Sequence, residues 1–132
     1  MGAEPWSNFT AYDSDIQRAL DRLRDDVFAA GTYRYAEEQP NSIEEAREIA
    51  DADGTCSVLD IDRVSDEPDF FCAAPFTPAE LKNYFGTDRP THSDIEDSED
   101  YWDDLERGQA RYAVVYADGN PSEIYFAGYS FD

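Results

Sequence analysis

The spacing of apolar residues predicts an amphipathic helix near the start of the chain. Apolar side chains recur there at intervals of three and four residues, after Asp13 or Ser14 as the N-cap and before Gly31. These apolar residues are Ile16, Ala19, Leu20, Leu23 and Val27. The other positions are mostly charged, as in a helix that turns one face to solvent.

Capping signals predict two more helices. Ser42 suits an N-cap, and Glu45 stands where it completes a capping box, so a second helix is expected to begin at about residue 43 and to end at Gly54. Thr77 and Glu80 repeat the same spacing before a shorter helix that Gly86 ends.

A last helix is predicted from about residue 93 to residue 107. Its apolar residues Ile95, Trp102 and Leu105 are separated by seven and three positions, which places them on one helical face.

Alternation of apolar and polar residues predicts the strands. Strands are expected near Phe9, at residues 32–35 and at residues 56–64, whereas the proline-rich residues 68–78 are predicted as a loop. Two strongly apolar runs at residues 111–118 and 122–129 flank a Gly-Asn-Pro sequence and predict a C-terminal hairpin.

Together these elements predict an α+β fold in a single domain, residues 1–132. We expect a small antiparallel sheet of three to five strands, with three or four helices packed on one of its faces. No apolar run approaches the roughly 18–20 residues that span a bilayer, so a soluble cytoplasmic protein is expected. Cys56 and Cys72 are therefore expected to be reduced rather than paired.

The balance of charge changes this ordinary picture. Asp and Glu number 31 against 10 Lys and Arg, with Lys82 the single lysine, and the formal net charge is −21. Such a chain repels nucleic acid and anionic lipid, so neither is expected as a direct ligand. No motif for a cofactor or a catalytic nucleophile is present, and we expect a protein that binds without catalysing a reaction.

Carboxylates are densest at residues 94–106, the acidic segment, where eight of the thirteen residues are Asp or Glu. On a straight helix this is roughly one charge per 2.4 Å, against about one per 1.7 Å along duplex DNA. We therefore expect the segment to bind a basic protein, possible classes being an inhibitor, an immunity-type protein, a regulatory factor or a nucleic-acid mimic. The expected partner-binding residues are Asp94, Glu96, Asp97, Asp100, Tyr101, Asp103 and Asp104, with Tyr101 as an apolar anchor.

Two alternatives stay open. Carboxylates occur in every segment while lysine has nearly vanished, a composition that resembles that of proteins from salt-in halophiles and implies adaptation to a saline cytoplasm. The second alternative is a small enzyme that uses Asp60 and Asp62 with a divalent ion. Residues 49–60 also match an EF-hand loop at Asp51, Asp53 and Gly54, but Ile49 stands where that loop begins with Asp.

Overall fold

The structure, a computed structural model that describes residues 3–131, is built around a five-stranded mixed sheet. Its strands are β1 (Pro5–Ala11), β2 (Arg63–Val64), β3 (Cys72–Pro75), β4 (Ala110–Ala117) and β5 (Asn120–Tyr129), in the spatial order β1-β5-β4-β3-β2. The helices are α1 (Ile16–Ala30), α2 (Ile43–Ala50), α3 (Pro78–Phe85) and α4 (His92–Glu96). Short 3₁₀ turns lie at Ala36–Glu38, Asp51–Asp53, Val58–Asp60 and Asp100–Asp104. Within residues 3–131, no helix has both the length and the apolar character needed to cross a bilayer.

The first three helices confirm their sequence signals. The side chain of Asp15, rather than that of Asp13 or Ser14, caps α1 by accepting a hydrogen bond from the Arg18 amide. Ser42 caps α2, and the capping box before α3 forms in both directions between Thr77 and Glu80. These helices follow local rules of capping and periodicity, which the sequence carries directly.

The C-terminal hairpin is also confirmed, with β4 and β5 antiparallel. Its turn is centred on Asp118 and Gly119, with φ of 52° and 79°, one residue earlier than the predicted Gly-Asn pair. Two consecutive residues of positive φ characterise the two-residue turn that matches the twist of a hairpin, and Asp-Gly adopts it readily. On its other side β5 pairs antiparallel with β1, so the first and last strands are neighbours in the sheet.

The antiparallel sheet predicted from the sequence is wrong in its second half. β3 runs parallel to β4, and β2 runs parallel to β3. Between β3 and β4 the chain passes through α3, α4 and the Asp100–Asp104 turn, and such a long crossover returns the next strand in the same direction. β3 falls within the residues predicted as a loop. It is short, buried and bounded by prolines, so it has no alternating pattern.

Helices cover both faces of the sheet rather than one. The layer that contains α1 and α2 consists of Trp6, Ala19, Leu20, Leu23, Val27, Ala46, Val58, Leu59, Ile61, Ala73, Ala110, Ile124 and Phe126. The opposite layer, which we call the aromatic layer, consists of Phe76, Tyr84, Ile95, Tyr101, Leu105, Ala113, Val115, Tyr125 and Ala127. Successive residues of β5 alternate between the two layers, as strand geometry requires.

Residues 32–35 and 56–61 are not strands. The alternation of residues 56–64 predicts Asp60 on a solvated face, but only 5% of its surface is exposed. The Thr55 amide donates to the Asp60 carboxylate at 2.9 and 3.1 Å, and the Thr55 hydroxyl donates to it at 2.9 Å. Because these donors satisfy its carboxylate, Asp60 can turn inward. Val58–Asp60 then form a 3₁₀ turn instead of a strand.

An ion pair between a buried arginine and a half-buried glutamate joins α3 to the sheet. The Arg111 guanidinium of β4 donates to both carboxylate oxygens of Glu80, at 3.2 and 2.5 Å, and to the carbonyls of Ala74 and Pro75 at 3.3 and 2.9 Å. It also lies 4.8 Å from the centre of the Phe76 ring. Arg111 is 8% exposed, so its charge depends on these contacts rather than on water.

Replacing Glu80 with glutamine should destabilise the fold by about 2 kcal/mol at pH 7, because Arg111 would keep a buried charge without its carboxylate. Burial raises the pKa of Glu80, but hydrogen bonds from Arg111 and Thr77 outweigh it and hold the pKa below the usual 4.5. This stabilisation is therefore present above pH 4.5 and is lost as the pH falls through the lower folded-state pKa. E80Q should lose less stability on acidification than the wild type.

Urea unfolding followed by circular dichroism at pH 7 and below pH 4 measures both effects. The control is E44Q, at an exposed position of α2, which should stay within about 0.5 kcal/mol of the wild type. An E80Q variant as stable as the wild type at pH 7 would mean that the carbonyls alone hold Arg111.

Candidate functional site

The acidic segment does not form the continuous helix that its sequence predicts. α4 begins at a capping box between Thr91 and Asp94 and ends after five residues, with Asp97 as its C-cap. The chain then turns and forms the Asp100–Asp104 3₁₀ turn. The charge spacing calculated for a straight helix, and the linear resemblance to DNA that depends on it, therefore do not hold.

Two physical causes account for the break. Like charges at adjacent helical turns, such as Glu96 with Asp100, oppose an extended helix, and no cation lies in the last turn of α4 to favour continuing it. In addition, the buried residues are Ile95, Tyr101 and Leu105, so Tyr101 takes the core position expected for the half-buried Trp102. The Ser98 hydroxyl donates to the Tyr84 carbonyl at 2.9 Å and holds the turn against α3.

Tyr101, expected to anchor a partner, is buried and does not offer its ring at the surface. Only 3% of its surface is accessible, and its hydroxyl lies 2.6 Å from that of Tyr125 on β5. Burial, with the hydrogen bond to Tyr125, raises the pKa of Tyr101 far above its usual range. The hydrogen bond between Tyr101 and Tyr125 therefore joins the acidic segment to β5 of the sheet.

Most of the predicted carboxylates do face solvent. Exposed positions are Glu96, Asp97, Asp100, Asp103 and Asp104, whereas Asp94 is half-buried. Asp94 accepts from the Thr91 amide at 2.9 Å, and Asp104 accepts from the Tyr84 hydroxyl at 2.5 Å. Burial and the Asp104 bond raise the pKa of Tyr84 to about 12. Asp94 and Asp104 thus hold the local structure as well as adding charge.

The arginines that form ion pairs do so away from the acidic segment. Arg18 and Arg22 contact Asp13, Arg34 contacts Glu4, Arg47 contacts Asp62 and Arg111 contacts Glu80. Among residues 3–131, the one ion pair that reaches the acidic segment joins Glu96 to His92. The exposed carboxylates of this segment consequently keep their charge facing solvent.

His92 links the start of the acidic segment to the sheet. Its Nδ1 lies 2.8 Å from Glu123 Oε1, its Nε2 lies 3.3 Å from Glu96 Oε1, and its ring stacks on Phe9 with centroids 3.8 Å apart. The hydrogen bond to Glu123 and the charges of both glutamates raise the pKa of His92 above 6.5, although partial burial opposes them. The protein therefore holds the imidazole of His92 between two carboxylates and an aromatic face, an arrangement that favours its protonated form.

Sequence reasoning missed a cleft of about 250 Å³ beside the acidic segment. We call it the aromatic cleft; its lining includes Phe9, Tyr101, Trp102, Tyr125, Glu96 and Glu99. Phe9 and Tyr125 are direct partners in the β1–β5 register, although they come from opposite ends of the chain. Strand pairing alone brings them together, so no local pattern in the sequence could have revealed the cleft.

The carboxylates considered for a metal do not converge. Asp60 points inward to Thr55, and Asp62 pairs with Arg47. Asp53 accepts a hydrogen bond from the Tyr35 hydroxyl at 2.8 Å. Within the described part of the chain, no group of three or more His, Cys, Asp or Glu side chains is placed to hold a metal ion. Cys56 and Cys72 are free thiols, as expected from the sequence.

Comparison with protein-family models, with curated protein sequences and with solved structures finds no significant match for this chain.

The imidazole of His92 should titrate above pH 6.5, because its protonated form gains Glu123 and Glu96 as partners. The resulting stabilisation is complete below the unfolded-state pKa of about 6.5 and is lost as the pH rises through the higher folded-state value. Since His92 is the single histidine, a proton NMR titration measures its pKa directly.

E123Q should return this pKa toward 6.5, whereas E37Q, which removes an equal charge from an exposed position with no bond to His92, should leave it nearly unchanged. A wild-type pKa of His92 at or below 6.5 would contradict the stabilisation of its protonated form by Glu123 and Glu96.

Proposed function

We propose that the acidic segment is the surface by which this protein binds a basic region of a partner protein, as a non-enzymatic inhibitor or regulatory factor. The observation that carries the proposal is the separation of charge. The ion-paired arginines engage carboxylates elsewhere, while in the described residues the exposed acid of the segment has no ion-pair partner other than His92.

The anchoring of the segment supports the same proposal. Ile95, Tyr101 and Leu105 are buried in the aromatic layer, so the backbone that carries the carboxylates is fixed before a partner arrives. A preorganised surface loses less conformational entropy on binding than a flexible acidic tail does. A rigid array of like charges also favours partners whose basic groups match its spacing.

The expected partner is a protein with clustered lysine or arginine, including proteins that bind nucleic acid through such clusters. Attraction between opposite potentials accelerates association and weakens as salt screens it. Direct contact with nucleic acid is not proposed, because phosphates would meet carboxylates.

A salt-adapted origin is the second candidate, and the distribution of acid elsewhere favours it. Glu37, Glu38, Glu44 and Glu48 are exposed around α2, far along the chain from the acidic segment. Acid spread over several elements is what a saline solvent selects, whereas a binding surface needs only one region. A binding surface depends on where the carboxylates lie, whereas adaptation to salt depends on the total charge.

Neutralising part of the acidic segment should weaken binding to a basic probe more than neutralising four exposed glutamates in and before α2. The segment variant is D97N/D100N/D103N/E106Q, which leaves Asp104 on Tyr84. The matched control is E37Q/E38Q/E44Q/E48Q, which removes the same charge at exposed positions. We expect at least a tenfold loss of affinity for the segment variant, or about 1.4 kcal/mol, and less than threefold for the control.

Fluorescence anisotropy of a labelled twelve-residue arginine-rich peptide measures the affinity at about 0.15 M KCl, near physiological ionic strength. Thermal unfolding checks that both variants are folded. Equal losses for both would refute the proposed surface, because affinity would then depend on total charge alone.

Thermal unfolding in KCl separates the two candidates by stability. Under the proposed function the protein is firmly folded at about 0.1 M KCl. Most of the rise in its unfolding temperature is then complete by about 1 M KCl, where the Debye length is about 3 Å. The unfolding temperature of the segment variant should rise less between these concentrations than that of the E37Q/E38Q/E44Q/E48Q control, because fewer like charges remain close together in the segment variant. A protein that is marginal at low salt and still gains steeply to ~3 M would instead favour salt adaptation.

A further inference from the structure

We propose that the aromatic cleft is a binding site for one lysine or arginine side chain of the partner protein. This inference rests on the proposed function, because it names the group that the acidic segment positions. It replaces the anchor expected at Tyr101 with a concave site at the edge of the segment.

Four aromatic residues line the cleft and pack against one another. The Phe9 and Tyr125 rings are 4.7 Å apart at 42°, and the Tyr101 and Trp102 rings are 5.0 Å apart at 36°. The Tyr101 and Tyr125 rings meet edge to face, at 84°. These rings pack on one another, and Tyr101 and Tyr125 are each 3% exposed, so the accessible aromatic surface of the cleft belongs to the half-buried Phe9 and Trp102. An aromatic face attracts an ammonium or guanidinium group.

Carboxylates complete the preference for a cation. Glu96 and Glu99 are exposed members of the lining, and the lining contains no lysine or arginine. Glu99 lies close enough for its charge to contribute to the raised pKa of Tyr101, behind burial and the Tyr125 hydrogen bond. A cation at this position would gain two carboxylates and lose little hydration at the open side, whereas an anion would be repelled.

His92 gives an internal example of the same chemistry. Its ring stacks on Phe9 and contacts Glu96, two of the residues that line the cleft. The protein thus already places a group that becomes cationic against an aromatic wall of this cleft and one of its carboxylates. A partner's side chain would extend that arrangement from Phe9 toward Trp102.

The size of the cleft suits a side chain rather than a larger ligand. Its volume of about 250 Å³ is below the roughly 300–1,000 Å³ of sites that enclose whole small-molecule ligands. Glu99 and Ser98 also line a second cleft, together with Asp97 and Asp100. A basic side chain in the aromatic cleft would therefore leave its neighbours facing the rest of the acidic segment.

The test uses the whole protein and a pair of small probes. Nα-acetyl-lysine N-methylamide carries the cation, and its Nε-acetylated counterpart has a similar shape without the charge. Proton–nitrogen NMR spectra report the indole N–H of Trp102 at the cleft and that of Trp6, 7% exposed in the opposite layer, as an internal reference. We expect saturable shifts of Trp102 with a dissociation constant on the order of 10 mM for the cationic probe alone.

Two single substitutions distinguish the cleft from general attraction. E99Q removes a carboxylate that lines the aromatic cleft, and D97N removes one that lines only the second cleft, with equal changes in net charge. We expect E99Q to raise the dissociation constant of the cationic probe about fivefold and D97N to raise it less than twofold. Both positions are exposed, so neither change should unfold the protein.

The inference is overturned if the cationic probe leaves Trp102 unshifted, if the neutral probe shifts it equally, or if E99Q and D97N weaken binding alike. Failure of the cleft and failure of the proposed function are distinguishable. Peptide affinity that depends on residues 97–106 without any Trp102 response would retain the acidic surface and eliminate the cleft. Probe binding at Trp102 with no preference of the peptide for the segment would retain the cleft and eliminate the surface.

Discussion

The burial of β5 on both of its faces is the constraint on which the rest of the structure depends. Ile124 and Phe126 pack against the layer of α1 and α2, while Tyr125 and Ala127 pack in the aromatic layer. β5 also lies between β1 and β4, so hydrogen bonds fix both of its edges. A strand held on four sides sets the positions of everything around it. The acidic segment is an example, since Tyr101 reaches Tyr125 and thereby places the carboxylates above one face of the sheet.

The features that the sequence predicts correctly are those that neighbouring residues determine. The caps at Ser42 and Thr77, the apolar stripe of α1 and the C-terminal hairpin all depend on residues a few positions apart. The errors occur where distant residues decide. β3 is a strand because β4 pairs with it, and Asp60 is buried because Thr55 satisfies it within an apolar layer. The exposed carboxylates of the candidate site could be predicted from charge alone, but the exchange of Tyr101 for Trp102 in the core could not.

The few cations are arranged in a way that composition does not describe. Arg111 holds α3 to the sheet from a buried position, and Arg34 and Arg47 join separate parts of the chain through Glu4 and Asp62. These arginines are committed to the fold, so they are not available to neutralise the acidic segment. A chain with 31 acidic and 10 basic residues could place its cations among its densest acids, and this one places its ion-paired cations elsewhere. Adaptation to salt would account for an excess of acid, but it gives no reason for this placement.

The acidic segment combines two opposed tendencies, and their balance connects stability with binding. Its like charges repel one another and shorten α4, whereas Ile95, Tyr101 and Leu105 hold the same backbone in the aromatic layer. Because the fold keeps these charges close, anything that brings positive charge to them lowers the free energy of the folded state more than that of the unfolded chain. Salt ions do this by screening and a basic partner does it by contact, so both act on the same repulsion. A surface that is costly to keep without counter-charges is therefore also one that gains most from a matched basic partner.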